Sequence, residues 1–245
     1  MIPLLKLKNI NILHGSKYRL KNITMSIKNG EKIALLGQSG SGKSTFLKVA
    51  NGTLKPNTGL VEWKGRKLKS LNRKERSEIG TLWQDLRLVE ELSVCQNVNA
   101  GALGRHNIFW ALGNMLGAIN NDKCHLCIKA AGLDPELMNI NITKLSGGQQ
   151  QRVAIARLIR QNAQIFLADE PLASLDPELV KELLLLILKQ KKLPSISIPS
   201  TCIISLHRPE LIKNFTRVIG LKKGRMLFDI PSNELNELKL NELYR

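Results

Sequence analysis

The sequence predicts an α/β protein built on a parallel-sheet core, and three observations carry that prediction. Short runs of apolar, largely β-branched residues, KIALL at Lys32–Leu36, IFLA at Ile165–Ala168, TCIIS at Thr201–Ser205 and VIGL at 218–221, are continuous rather than alternating. That is the signature of strands covered on both faces. The N-terminal stretch instead alternates, with Ile23, Met25 and Ile27 on one side, as a half-buried antiparallel sheet does. Between Gln84 and Ser146 the pattern turns mostly helical.

Taken in order, residues 1 to about 31 and 58–66 read as antiparallel strands. KIALL follows, and directly after it comes GQSGSGKST, that is Gly37, Gln38, Ser39, Gly40, Ser41, Gly42, Lys43, Ser44 and Thr45. This fits G-x-x-x-x-G-K-[ST], and the helix-compatible FLKVAN behind it completes the strand, loop, helix context of a phosphate-binding loop. The glycines let successive N–H groups turn inward onto phosphate oxygens, and the helix start adds its positive dipole end. Lys43 is expected on the β- and γ-phosphates and Ser44 on Mg²⁺.

A basic run, KGRKLKSLNRKER at 64–76, comes next. It reads as a solvated face or as an attraction to anionic lipid head groups. IFWALGNMLGAI at 108–119 is apolar and too short to cross a bilayer. It is either a buried helix or an exposed surface that receives a partner. LSGGQQQRVAIAR at 145–157 then places Ser146, Gly147, Gly148 and Gln149 at the start of a long helix, a second anion-friendly elbow. IFLADEP at 165–171 ends an apolar strand in two acids, with Asp169 suited to hold a metal or its water and Glu170 to polarise an attacking water. Residues 178–190 read as a helix buried on more than one side, because Leu183 to Leu188 are all apolar. KKLPSISIPS at 191–200 reads as a surface loop, and the last fifteen residues as a short amphipathic helix through Leu235, Leu238 and Leu243.

Composition excludes several classes. With 245 residues and 43% apolar content the chain can build a full core, and it carries no low-complexity tract. No apolar stretch reaches the roughly 20 residues of a membrane span, and MIPLLKLKN is too soon interrupted by charge for a secretory signal. The net charge of +17 invites nucleic acid, yet the basic run lacks interleaved aromatics, and no nucleic-acid partner is expected. Cys124 and Cys127 form a C-x-x-C with no second pair, so the four cysteines (with Cys95 and Cys202) are expected to be reduced thiols.

LSGGQ, the phosphate loop and the acid pair in this order, joined by Gln84, the SLD at 174–176 and His207 after TCIISL, resemble the ATPase subunit of an ATP-binding cassette (ABC) transporter from about residue 4 to about 230. The resemblance implies a P-loop NTPase (RecA-like) parallel-sheet core with an N-terminal antiparallel β-subdomain and a helical subdomain at about 86–158, all within residues 1–232, and a tail at 233–245. It implies ATP and Mg²⁺ as ligands, with Ser44, Gln84 and Asp169 at the metal. Glu170, His207 and Gln84 take catalytic roles, and Asp176 links two sites across a dimer. Two copies are expected to meet head to tail, the LSGGQ of one closing over the nucleotide of the other. Two permease subunits and an extracytoplasmic solute-binding protein are the further partners, which places the chain on the cytoplasmic face of the cell (inner) membrane.

Two positions depart from the family pattern. The adenine platform falls on LHGSKY, where either Tyr18 or His14 fits, with Tyr18 the better ring, and Leu172 replaces a small polar residue after Pro171. The turn at 101–105 (GALGR) with Trp110 shortly after is similar to phosphonate or phosphite import ATPases, which makes such uptake the first choice. A single-cassette exporter or lipoprotein-releasing ATPase shares every catalytic residue and is the alternative. Cytosolic non-transport cassettes fit less well, since they carry two cassettes in one chain.

Overall fold

A computed structural model describes residues 2–117, 119, 121–171, 180, 184, 185, 188, 199–206 and 209–245. They fall into two compact units, one of Met1–Leu71, Leu167–Ala173 and Ser200–Arg245, the other of Asn72–Phe166 and Ser174–Pro199.

The first unit holds two sheets. β1 (Leu5–His14) pairs antiparallel with β2 (Lys17–Ile27) and with β4 (Thr58–Trp63), which carries the two-residue β5 (Arg66–Lys67). Leu5, Leu7, Ile10 and Ile12 point into the core while Lys6 and Lys8 do not, the period-two pattern of a strand with one wet face. The pairing slips between Leu7 and Ile10, where Asn9 has a φ of 49° and opens a bulge.

The second sheet is the parallel core. β3 (Lys32–Leu36) lies between β8 (Thr201–Ser205) and β9 (Arg217–Lys222), parallel to both. Ile33, Ala34, Leu35 and Leu36 are fully buried, which accounts for their uninterrupted apolar run. β10 (Arg225–Pro231), not foreseen in the sequence, adds an antiparallel edge to β9, and β7 (Ile165–Ala168) lies beyond β8. β6 (Ile79–Leu82) belongs to the second unit. Helix α1 (Lys43–Ala50) follows β3 and buries Phe46, Leu47, Val49 and Ala50.

The second unit is mostly helical: α2 (Arg73–Arg76), α3 (Val94–Ala100), α4 (Ile108–Met115), α5 (Asp122–Ala130) and α6 (Gly147–Gln161). α6 packs against α3 and α5 and buries Val153, Ala154, Ile155 and Ile159. The segment 108–119 resolves in favour of exposure. Ile108, Phe109, Leu112, Met115 and Leu116 are all exposed, Phe109 at 77%, and of α4 only Asn114 is buried. Of 178–190 the described residues are Val180, Leu184 and Leu188, which are buried, and Leu185, which is not. Most of 191–200 and Leu172 lie outside the described residues.

The tail forms α7 (Glu237–Tyr244), back in the first unit. Its apolar side is narrower than the leucine spacing suggests. Leu243 is fully buried, Leu238 is 78% exposed, and Leu235 precedes the helix.

Candidate functional site

The phosphate loop spans the end of β3 and the start of α1, as its sequence context requires. Gly37 has a φ of 152°, and a Cβ there would collide with the Leu221 carbonyl oxygen and the Ser41 hydroxyl. Only glycine lets the chain leave β3 this tightly. Lys43 is buried at 4% exposure, and its ammonium donates to the carbonyls of Gly37 (2.9 Å) and Gln38 (3.2 Å). The buried Ser41 Oγ has no hydrogen-bond partner among the described residues. An orphaned hydroxyl inside a glycine cradle, next to a buried cation, fits a phosphate group well.

The two acids stand opposite this loop. Asp169 is buried just past β7, and a Glu170 carboxylate oxygen lies 3.4 Å from Lys43 Nζ. Glu170 has a φ of 47°, a left-handed conformation uncommon for a residue with a side chain. Ser205, at the C-terminal end of β8, holds that turn in place: its Oγ accepts from the Glu170 N–H (2.7 Å) and donates to Asp169 Oδ1 (3.1 Å). One hydroxyl therefore holds the Asp169 carboxylate and the Glu170 backbone together. Sequence reading passed over Ser205, whose only signal was a hydroxyl at the C-terminal end of the strand TCIIS. Ser44 next to Lys43 and Asp169 next to Glu170 are the oxygen donors suited to a hard divalent cation.

α7 also reaches the loop. Gln38 Nε2 donates to the Tyr244 carbonyl (2.5 Å), Lys222 Nζ donates to the Glu242 carbonyl, and Leu243 lines a small recess with Gln38, Ser39, Gly40 and Ser41. Tyr18 is 45% exposed on β2 with the Lys21 ammonium 4.8 Å from its ring centroid, and His14 is exposed at the end of β1. Both remain open to a ligand.

In the second unit, Ser146 is the N-cap of α6 in a capping box. Its Oγ accepts from the Gln149 N–H (3.3 Å), and Gln149 Oε1 accepts from the Ser146 N–H (2.9 Å). Ser146 and Gln149 thus shape the elbow, and the N–H groups of Gly147 and Gly148, the first two positions of the helix, have no acceptor one turn back within it. Gln84 is exposed, just past β6. Asp176 and His207 lie outside the described residues. All four cysteines are free and buried, and burial pushes the Cys127 thiol up to about 11 and the Cys202 thiol up to about 12. Protonated, Cys127 on α5 and Cys202 on β8 serve as packing groups.

The sequence profile of the ABC transporter family matches residues 20–173, and the chain belongs to that family. It is an ATPase coupled to transport. Among its relatives, the phosphonates import ATP-binding protein PhnC 1 of Nostoc sp. (strain PCC 7120) is 36% identical over 98% of this chain and 91% of that protein. The phosphonates import ATP-binding protein PhnC of Wolinella succinogenes is 34% identical over 98% and 88%. Among solved structures, a dimeric post-hydrolysis state of the ATP-binding cassette MJ0796 bound to ADP and phosphate superposes with a TM-score of 0.77, at 30% identity over 94% of this chain and all of the other. CbiO1 from Clostridium perfringens, part of the transporter complex cbiONQ, gives 0.77 at 29% identity over 96% of this chain and 90% of its own. The fold is thus the P-loop NTPase cassette the sequence predicted.

Proposed function

We propose that this chain is the ATP-hydrolysing subunit of an importer for a phosphonate- or phosphite-type solute, working from the cytoplasmic face of the cell membrane as an ATP-closed homodimer on two permease subunits fed by an extracytoplasmic binding protein. The single observation that supports the cargo class is the run of PhnC relatives at 34–36% identity across nearly the full chain. No helix among the described residues is long and apolar enough to cross a membrane, in keeping with separate permease subunits. The exposed apolar side of α4 is the surface we assign to them.

In this reading the phosphate loop from Gly37 to Thr45 binds the ATP phosphates, which take over the Lys43 ammonium from the Gly37 and Gln38 carbonyls and from Glu170. Freed from that ion pair, Glu170 accepts a proton from water attacking the γ-phosphorus, and ADP leaves as phosphate forms. Ser44, Gln84 and Asp169 would hold Mg²⁺, whose charge offsets that of the β- and γ-oxygens. Tyr18 or His14 stacks on adenine, while Ser146, Gly147, Gly148 and Gln149 close on the nucleotide of the second copy. Asp176 and His207 complete the pair of sites.

The test is to trap the Glu170→Gln chain with ATP in native membranes, extract it and identify what copurifies. A polytopic membrane protein plus a solute-binding protein that takes up phosphonates in a titration supports the reading. A partner with large extracytoplasmic domains and no binding protein moves it to export, and ribosomes or nucleic acid overturn transport.

A further inference from the structure

The phosphate loop is braced from behind by two segments far from it in sequence, both within the first unit. One is the β9–β10 hairpin. The Leu221 carbonyl of β9 fills the space a Cβ at Gly37 would need, and the Gly224 N–H donates to the Ser41 carbonyl (2.9 Å). The other is α7. Between it and the loop lies a seam of about 70 Å³, lined by Gln38, Ser39, Gly40, Ser41, Lys222 and Leu243 among others. That is far below the roughly 300 Å³ at which small-molecule sites begin, so the seam is a contact rather than a pocket.

The last carbonyls of a helix have no partner inside it, and residues of the brace supply partners to those of α7. Lys222 Nζ donates to the Glu242 carbonyl and Gln38 Nε2 to the Tyr244 carbonyl (2.5 Å), while Leu243 between them is fully buried. The Tyr244 hydroxyl is buried against the Gly37 backbone, and burial raises its pKa, so it stays a neutral O–H beside the loop. Gln38 is where tail and loop meet. Its side chain is spent on α7, and its carbonyl accepts from the Ser41 N–H (3.1 Å) and from the Lys43 ammonium (3.2 Å).

We propose that Gln38 is a positioning residue for the ATPase reaction and that α7 is the strap it acts through, holding the phosphate loop in its nucleotide-ready shape. A loop rich in glycine has many conformations to lose. Fixing one of them beforehand lowers the ordering cost that nucleotide binding would otherwise carry. The coupling is reciprocal, so a filled loop must also steady the tail. The inference rests on the reading above that this loop binds ATP.

The test uses the full chain. Mg·ADP is titrated by calorimetry into the wild type, Gln38→Met, Leu243→Ala and the double variant, and KM and kcat for ATP are measured on each. Gln38→Met keeps the length of the side chain and removes its N–H. It is expected to raise Kd and KM about fivefold, the worth of one net hydrogen bond, with a smaller change in kcat. Leu238→Ala, on the exposed side of α7, is expected to leave Kd unchanged. The double variant should bind no more weakly than Leu243→Ala alone, because both changes cut the same chain of contacts. Unchanged affinity in Gln38→Met, or losses that multiply in the double variant, overturn the strap. Should Leu243→Ala fold poorly, hydrogen exchange on the wild type decides: the α7 amides, among them Leu240, which donates to the Asn236 carbonyl (3.1 Å), are expected to exchange several-fold more slowly with Mg·ADP bound. Exchange that ignores bound Mg·ADP overturns the strap alone, whereas a wild type that binds no Mg·ADP overturns the nucleotide reading with it.

Discussion

Glu170 and Ser205 are the residues on which the proposed chemistry turns. The left-handed turn at Glu170 aims its carboxylate at Lys43, and the Ser205 hydroxyl bonds to the Asp169 carboxylate and to the Glu170 backbone N–H at once. Removing the base with Glu170→Gln is expected to lower ATP turnover by at least about 100-fold while nucleotide binding persists. Near wild-type hydrolysis would take the base assignment away from Glu170. Ser205→Ala leaves a buried N–H and a carboxylate oxygen unpaired, and should cost about 1–3 kcal/mol in urea unfolding as well as slowing turnover. An unchanged rate would mean that Ser205 only packs the strand.

Two helices carry predictions of their own. α7 anchors through the fully buried Leu243 beside the phosphate loop. Leu243→Ala should therefore destabilise the chain by about 2 kcal/mol or more, read as an earlier unfolding midpoint, and a change under 0.5 kcal/mol, the ordinary range for surface sites, would show that the tail is merely draped. α4 presents the opposite case, apolar residues that nothing within the described chain covers. Phe109→Ser with Leu116→Ser should leave stability and basal ATPase activity nearly unchanged yet abolish copurification of the membrane partner. Full retention of the partner would move the docking surface elsewhere.

For the proposed ATP-closed pair, closure in trans would make a quantitative demand. In that reading Lys43→Ala is expected to spoil the phosphate site of its own chain, and Ser146→Arg the elbow proposed to serve the other copy. Mixed together, the two inactive variants should regain at most one working site per heterodimer, measurable as partial ATPase activity that vanishes on dilution. Full activity in a dilute monomer would refute closure between copies.

Features set by neighbours along the chain were legible in the residues alone. The phosphate loop, the Ser146–Gln149 elbow and the buried strands each depend on contacts a few positions apart or on a period of two, so spacing is enough to specify them. Tertiary structure decided what no spacing encodes: that Ser205 reaches Asp169 and Glu170 from another strand, that α4 turns its apolar side outward, and that α7 returns to the phosphate loop. Those pairings are chosen by competition for burial among distant segments, a property of the packed chain rather than of any short stretch of it.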